Sequence, residues 1–240
     1  MIYFIMAMEA EARPFIKRLQ LSEDLMFNLR LPMRRLKGKY CGIDISVIIN
    51  GKDKKFNLDL IGTQAATIAT QQAIERQYPN LIISAGTAGA FAGKGADVGD
   101  IYLSYPHVAF HDRRVPISGW NEMGIGSFPV YDTRKMAQEL GFKLGIVTTG
   151  DSLDMSPTDA AMIETIGGEV KDMEAAAVAW VASLYQIPMF CIKSVTDLVD
   201  STHHATHEQF ARNLETSVEK LTDAMITVVE YLAKHSSDYC

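Results

Sequence analysis

Cysteine is scarce in this 240-residue chain: Cys41, Cys191 and Cys240 are odd in number and far apart. They form no Cys-x-x-Cys pair, which argues against a structural zinc site. They fit free thiols in a reducing, intracellular setting, so a cytoplasmic location is expected. Long apolar runs are also missing. None approaches the roughly 18 residues of a membrane span, so no membrane partner is expected. The apolar run at residues 2–8 is short, lacks a basic flank and is followed at once by Glu9 and Glu11. It reads as a buried strand, not as a targeting segment. A basic excess is absent as well: the formal net charge is −6, whereas a nucleic-acid binder carries a basic face. The one basic stretch of note, Arg34, Arg35, Lys37 and Lys39, reads as a solvated hairpin edge.

Several chemical signatures fail. At Gly93-Lys94 the P-loop pattern breaks twice, because Gly95 follows the lysine and Ala88 stands where the first glycine belongs. Gly93, Gly95 and Gly99 do not have the dinucleotide spacing. No strand end carries a nucleophilic cysteine or a Gly-x-Ser-x-Gly elbow. His203, His204 and His207 lack the His-Glu-x-x-His pairing and read as a solvated loop and helix start. Arg113-Arg114 reads as a solvated or interface pair before an anion site. No metal or organic cofactor is implied.

What is present is a 48% hydrophobic composition without repeats, low-complexity tracts or linkers. One domain over residues 1–240 is expected. Short apolar runs at residues 2–8, 43–49, 81–84, 142–147, 170–172 and 189–195 read as strands, with another beginning at 100–103. Helices fit residues 9–19 and 58–77. Ser156-Pro157-Thr158-Asp159 has the form of a helix N-cap. An Ala-rich helix follows residue 172, with Val178, Val181, Ala182 and Tyr185 on one face. The last helix opens on a capping-box pair, Thr206 and Gln209. Its stripe of Phe210, Leu214, Val218, Leu221, Met225, Val228 and Leu232 reads as core packing. Strands alternating with helices imply an α/β fold of three layers, α/β/α, around a central sheet.

Open α/β sheets bind ligands at the carboxyl ends of their strands. There this sequence places Glu9 and Glu11; Gly86, Thr87 and Gly89; Asp151, Ser152, Leu153 and Asp154; Met173 and Glu174; Thr196 and Asp197. Singly, each has a structural explanation. Glu9, Glu11 and Glu174 favour helix N-termini through the dipole, Asp197 caps a turn, and the glycines serve tight turns. Together they make a shelf of glycines ringed by acids, which suits acid–base chemistry on a polyhydroxylated ligand.

Longer stretches carry a resemblance. Ala7-Met8-Glu9-Ala10-Glu11, Ser84-Ala85-Gly86-Thr87-Ala88-Gly89, Val98-Gly99-Asp100, residues 150–156 (Gly-Asp-Ser-Leu-Asp-Met-Ser), residues 171–179 and residues 193–200 resemble the 5′-methylthioadenosine/S-adenosylhomocysteine nucleosidases. The plant-type members are most similar, through Gly-Asp-Ser-Leu-Asp-Met and His111-Asp112-Arg113-Arg114. The resemblance implies a nucleoside phosphorylase-like fold with a mixed central sheet. It implies hydrolysis of 5′-methylthioadenosine, with S-adenosylhomocysteine as a further candidate substrate, to adenine and the thioribose sugar in methionine salvage. Asp197 matches the acid that donates to adenine N7, and Glu11 the carboxylate that orients water. Met173 and Glu174 match the ribose clamp, Thr87 and Gly89 the loop beside ribose and water, and Leu153 a side chain packing on the purine. Asp154 matches a position where backbone groups read the adenine edge; Ala88, Asp172 and Lys193 complete the implied substrate-binding set. Bacterial members often carry arginine where Lys193 stands; a lysine lacks arginine's fork, so looser contacts are expected. The family forms homodimers in which a loop of one subunit closes the 5′ pocket of the other. The region from Phe110 to Phe128, with Trp120 between, is the candidate loop. A nucleoside phosphorylase, a futalosine-type hydrolase and a non-catalytic storage or binding protein on the same fold are the alternatives.

Overall fold

A computed structural model describes residues 1–27, 30–200 and 206–235. His203, His204 and Cys240 lie outside the described residues. In chain order the elements are β1 (Ile2–Met6), α1 (Glu9–Leu19), β2 (Ser22–Glu23), β3 (Arg34–Tyr40), β4 (Ile43–Ile49), α2 (Thr63–Arg76), β5 (Leu81–Ala90), β6 (Ile101–Phe110), α3 (Trp120–Ile125), β7 (Phe128–Pro129), α4 (Arg134–Leu140), β8 (Lys143–Thr149), α5 (Pro157–Ile166), β9 (Val170–Asp172), α6 (Ala175–Leu184), β10 (Met189–Leu198) and α7 (Thr206–Lys234).

The layers follow from the pleat. Along β1 successive side chains leave opposite faces, and all five are buried. Ile2, Phe4 and Met6 join Phe15 of α1 and Leu221, Met225 and Val228 of α7. Tyr3 and Ile5 join Ala66, Ala69 and Ala73 of α2 and the alanines of α6. One sheet is thus covered on both faces, as expected. The Ala-rich helix α6 differs from its expected one-faced pattern. Ala175 to Ala179, Val181 and Ala182 are all buried, because it lies between the sheet and α2.

Four strands run parallel in the order β4–β1–β5–β10, so their carboxyl ends share one edge. Beyond β10 comes antiparallel β6, then β8 and β9 parallel to it, and β9 returns antiparallel to β5. The mixed sheet therefore closes on itself through β5, β10, β6, β8 and β9.

Several boundaries move for tertiary reasons. The helix expected from residue 58 begins at Thr63. Before it, Leu60 N–H donates to the Gly51 carbonyl at 2.8 Å, and Gly62 enters the helix at φ 92°, a region open to glycine. The strand expected at 81–84 continues through the glycines to Ala90, and that expected at 189–195 reaches Leu198. These two pair with each other across a bulge between Val195 and Asp197, so the glycines lie in a strand and not in a turn. The Ser156 cap forms: its hydroxyl accepts from Asp159 N–H at 3.2 Å, with Pro157 in the first turn. Gln209, expected in the capping box of the last helix, also makes a tertiary bond: its Oε1 accepts from Leu198 N–H at 3.1 Å. Arg35 departs from the solvated-edge reading: it is buried and ion-paired to Asp24, since β2 covers the outer side of β3.

Candidate active site

A concave site opens on the edge where the parallel strands end. Its floor is Ala7 and Met8 after β1, Gly86 to Gly89 of β5, Thr196 and Asp197 of β10, and Asn50 after β4. Lys171, Asp172, Met173 and Glu174 form one wall, Leu153 and Ile61 overhang it, and Glu11 rises from α1. Val199 and Phe210 close the Asp197 end; Phe210, expected to open the core stripe of α7, is only partly buried and lines the site instead.

Glu11 is buried, and its Oε1 accepts from Thr87 N–H at 2.7 Å and from the Thr87 hydroxyl at 2.6 Å. Burial raises its pKa, against the two Thr87 bonds and the Lys193 charge. Glu174 is the N-cap of α6, yet its Oε1 accepts from Gly62 N–H at 2.8 Å, at the mouth of α2. Burial, then the nearby Asp172 charge, raises its pKa to about 7. Asp197 is buried; the Thr196 hydroxyl is 2.8 Å from its Oδ1. Burial raises its pKa too, against that hydroxyl and the charge of Lys171. Three acids with raised proton affinity therefore face one cavity.

Of two floor glycines, Gly89 makes room for an acid and Gly86 does not need to. A Cβ on Gly89 would lie 2.6 Å from Val199 Cγ1 and 2.8 Å from Asp197 Oδ2. A Cβ on Gly86 would lie 3.4 Å from both Glu11 carboxylate oxygens, an ordinary contact.

Of the residues expected from the sequence, Glu11, Thr87, Ala88, Gly89, Leu153, Asp172, Met173, Glu174 and Asp197 line this cavity, and Asp154 and Lys193 do not. Asp154 is exposed where the loop turns outward. Lys193 is fully buried behind the wall, its Nζ 2.7 Å from Asp172 Oδ2 and 3.4 Å from Ser84 Oγ. Burial disfavours its charge, but Asp172, Cys191 and Glu174 outweigh that and raise its pKa. The same Asp172 accepts from Thr149 Oγ1 at 2.5 Å and from Ala175 N–H at 2.9 Å. The candidate loop also divides: Phe110 is buried edge-to-face against Phe128 with centroids 6.2 Å apart, and of the three aromatic residues only Trp120 is exposed.

Thr196, singled out with Asp197 at the end of its strand, lines the cavity, whereas Lys171, Asn50, Val199 and Phe210 were not assigned to the site from the sequence. Asn50 follows β4 and falls under the same strand-end rule as the rest. Lys171 was visible as a charge inside a short strand of buried type.

The family model of the phosphorylase superfamily matches residues 2–230 of this chain, which span the mixed sheet and every residue that lines the acid-ringed, glycine-floored cavity. A 5′-methylthioadenosine/S-adenosylhomocysteine nucleosidase of Arabidopsis thaliana is 40% identical over 234 residues, 97% of this chain and 91% of that protein. The solved structure of Arabidopsis thaliana 5′-methylthioadenosine nucleosidase in apo form is 39% identical and superposes with a TM-score of 0.93, covering 96% of this chain and 95% of that one. Helicobacter pylori futalosine hydrolase, at 20% identity and a TM-score of 0.79, shares the fold. Within the superfamily, this chain belongs to the 5′-methylthioadenosine/S-adenosylhomocysteine nucleosidases.

Proposed function

We propose that this protein hydrolyses the N-glycosidic bond of 5′-methylthioadenosine, with S-adenosylhomocysteine as a further candidate substrate, releasing adenine and the 5-substituted ribose. The observation that carries the reading is the convergence of Asp197, Glu11 and Glu174 on one cavity. Glycosidic cleavage passes through an oxocarbenium-like state and needs a proton for the leaving group, negative charge near the sugar, and water on the opposite face. Asp197 donates to adenine N7, its raised proton affinity keeping that proton available. Glu174 accepts from the ribose hydroxyls beside Met173, and Glu11 orients the water from its anchorage on Thr87. Leu153 packs on the purine, the Ser152–Asp154 backbone lies along its edge, and Lys193 acts from behind through Asp172.

A phosphorolytic variant would need free cations for phosphate. Lys193 is held by Asp172, and Arg114 donates to Asp159 at 3.1 Å, which favours water. Residues 1–240 are read as one domain because both packed faces belong to one sheet. The working unit is read as a homodimer: Ile68, Trp180 and Leu184 are exposed on the adjacent helices α2 and α6, and Trp120 and Met123 on α3. Trp120 and its neighbours would close the partner's 5′ pocket. Among the described residues no helix is long and apolar enough to cross a membrane. A cytoplasmic role in methionine salvage is part of the proposed reading and rests on the family resemblance. Incubation with 5′-methylthioadenosine in phosphate-free buffer should release adenine and free 5-methylthioribose. Product appearing only with phosphate, as a sugar 1-phosphate, would overturn the hydrolytic reading.

A further inference from the structure

Three strands meet at one row of this site. Gly89 of β5 is in register with Asp197 of β10 on one side and with Lys171 of β9 on the other. Residues directly across a sheet project from the same face. Gly89 carries no side chain, so Asp197 and Lys171 flank a strand position where only Val199 and the Asp197 carboxyl come close, and both residues line the cavity. The Lys171 Nζ also donates to the Ser152 carbonyl at 2.5 Å and to the Leu153 carbonyl at 3.2 Å. Those carbonyls belong to the loop that hangs Leu153 over the cavity. A buried lysine that ties down two backbone carbonyls immobilises that loop; one that also stands one strand away from a carboxyl imposes a field on it.

We propose that Lys171 is a positioning residue of this site: it clamps the Ser152–Leu153 loop over the purine and supplies the positive charge that Asp197 faces across Gly89. The inference rests on Asp197 being the proton donor proposed above.

The charges around Lys171 are known on every side. Asp172 follows it on β9, Asp197 faces it from β10, Asp154 stands in the loop, Asp159 on α5, and His111 at the end of β6. Burial lowers the proton affinity of Lys171, and these four carboxylates act in the opposite sense. For Asp197, burial raises the pKa and Lys171 is the charge that lowers it. The sign of the consequence follows. A general acid works only while protonated, so kcat/KM falls as pH rises through the Asp197 pKa in the free enzyme. Without the ammonium, Asp197 holds its proton more tightly and the falling limb moves to higher pH. A lysine that served packing alone would leave the limb where it is.

Three variants separate clamp from charge. Lys171→Gln keeps a donor for the carbonyls and loses the charge. Lys171→Arg keeps both, and Lys171→Met loses both. With 5′-methylthioadenosine as substrate and adenine release as readout, Lys171→Gln should displace the falling limb upward by at least about half a pH unit. Lys171→Arg should leave the limb in place. Lys171→Met should add a rise in KM of roughly tenfold as the loop loses two charge-assisted bonds. If Lys171→Met does not fold, the Gln and Arg variants decide. A Lys171→Gln enzyme with the wild-type limb, while Asp197→Asn abolishes that limb, overturns the inference and leaves the acid assignment standing. A falling limb that survives in Asp197→Asn overturns the acid assignment and the inference with it.

Discussion

Gly89→Ala puts a single methyl between the acid and the sheet. The added Cβ would stand 2.6 Å from Val199 Cγ1 and 2.8 Å from Asp197 Oδ2, both far inside contact distance. Val199 can give by rotating, whereas Asp197 is tethered through Thr196, whose hydroxyl also lies 3.2 Å from the Ala88 carbonyl. To regain ordinary contact of about 3.4 Å the carboxyl oxygen must retreat by roughly half an ångström or more. Displacements near 1 Å in a catalytic group cost about a hundredfold, so kcat should fall roughly ten- to a hundredfold. Overpacking should cost about 1–3 kcal/mol of stability, a loss of several degrees in Tm for a chain of this size. The assay is adenine release under saturating 5′-methylthioadenosine, with Tm on the same preparation. Gly86→Ala, whose Cβ would meet Glu11 at 3.4 Å, serves as the steric comparison and should lose clearly less stability. A folded Gly89→Ala enzyme with wild-type kcat would refute the argument that this glycine exists to seat Asp197.

Asp197→Asn keeps the shape and a donor but cannot transfer a proton. It should fold normally, bind substrate with little change and lose at least ~100-fold in kcat; a stable variant within a few-fold of wild type would remove Asp197 from the mechanism. Glu174→Gln should lose roughly ten- to a hundredfold in kcat/KM as two charge-assisted ribose contacts go. The same variant has a stability signature. The Glu174 pKa is raised from 4.5 to about 7 in the fold, so its contribution is full below the unfolded value and is lost as pH rises through about 7. That loss amounts to about 3 kcal/mol. Glu174→Gln should therefore melt above wild type at pH 8, with the gap closing at pH 4–5; parallel Tm curves would show that no such burial cost exists. Trp180→Glu on the exposed face of α6 should yield monomers by sedimentation and reduce turnover, and a fully active monomer would count against the shared pocket.

Much of the architecture was written locally. Buried strands announce themselves as short apolar runs, and β4, β9 and α1 have the bounds that their patterns predict. The strand-end rule reached Glu11, Thr87, Gly89 and Asp197 because β1, β5 and β10 run parallel and present their carboxyl ends together; Glu174 follows β9, which runs antiparallel to β5 and reaches the site through the closure of the sheet. Ser156-Pro157-Thr158-Asp159 likewise capped its helix from four residues alone.

Pairings between distant segments were not legible. Nothing local says that β10 lies between β5 and β6, or that β9 returns to β5 and closes the ring. The row Lys171–Gly89–Asp197 joins Gly89 to residues 82 and 108 positions further along the chain, and only strand register makes them neighbours. The same holds for Lys193, whose type invited a substrate contact and whose burial commits it to Asp172 instead. The sequence determined which acids, glycines and apolar faces the chain carries, because periodicity and turn chemistry act over a few residues. The tertiary structure alone decided which charges face one another, because charge pairs and the desolvation that tunes them depend on separations set by the packed sheet.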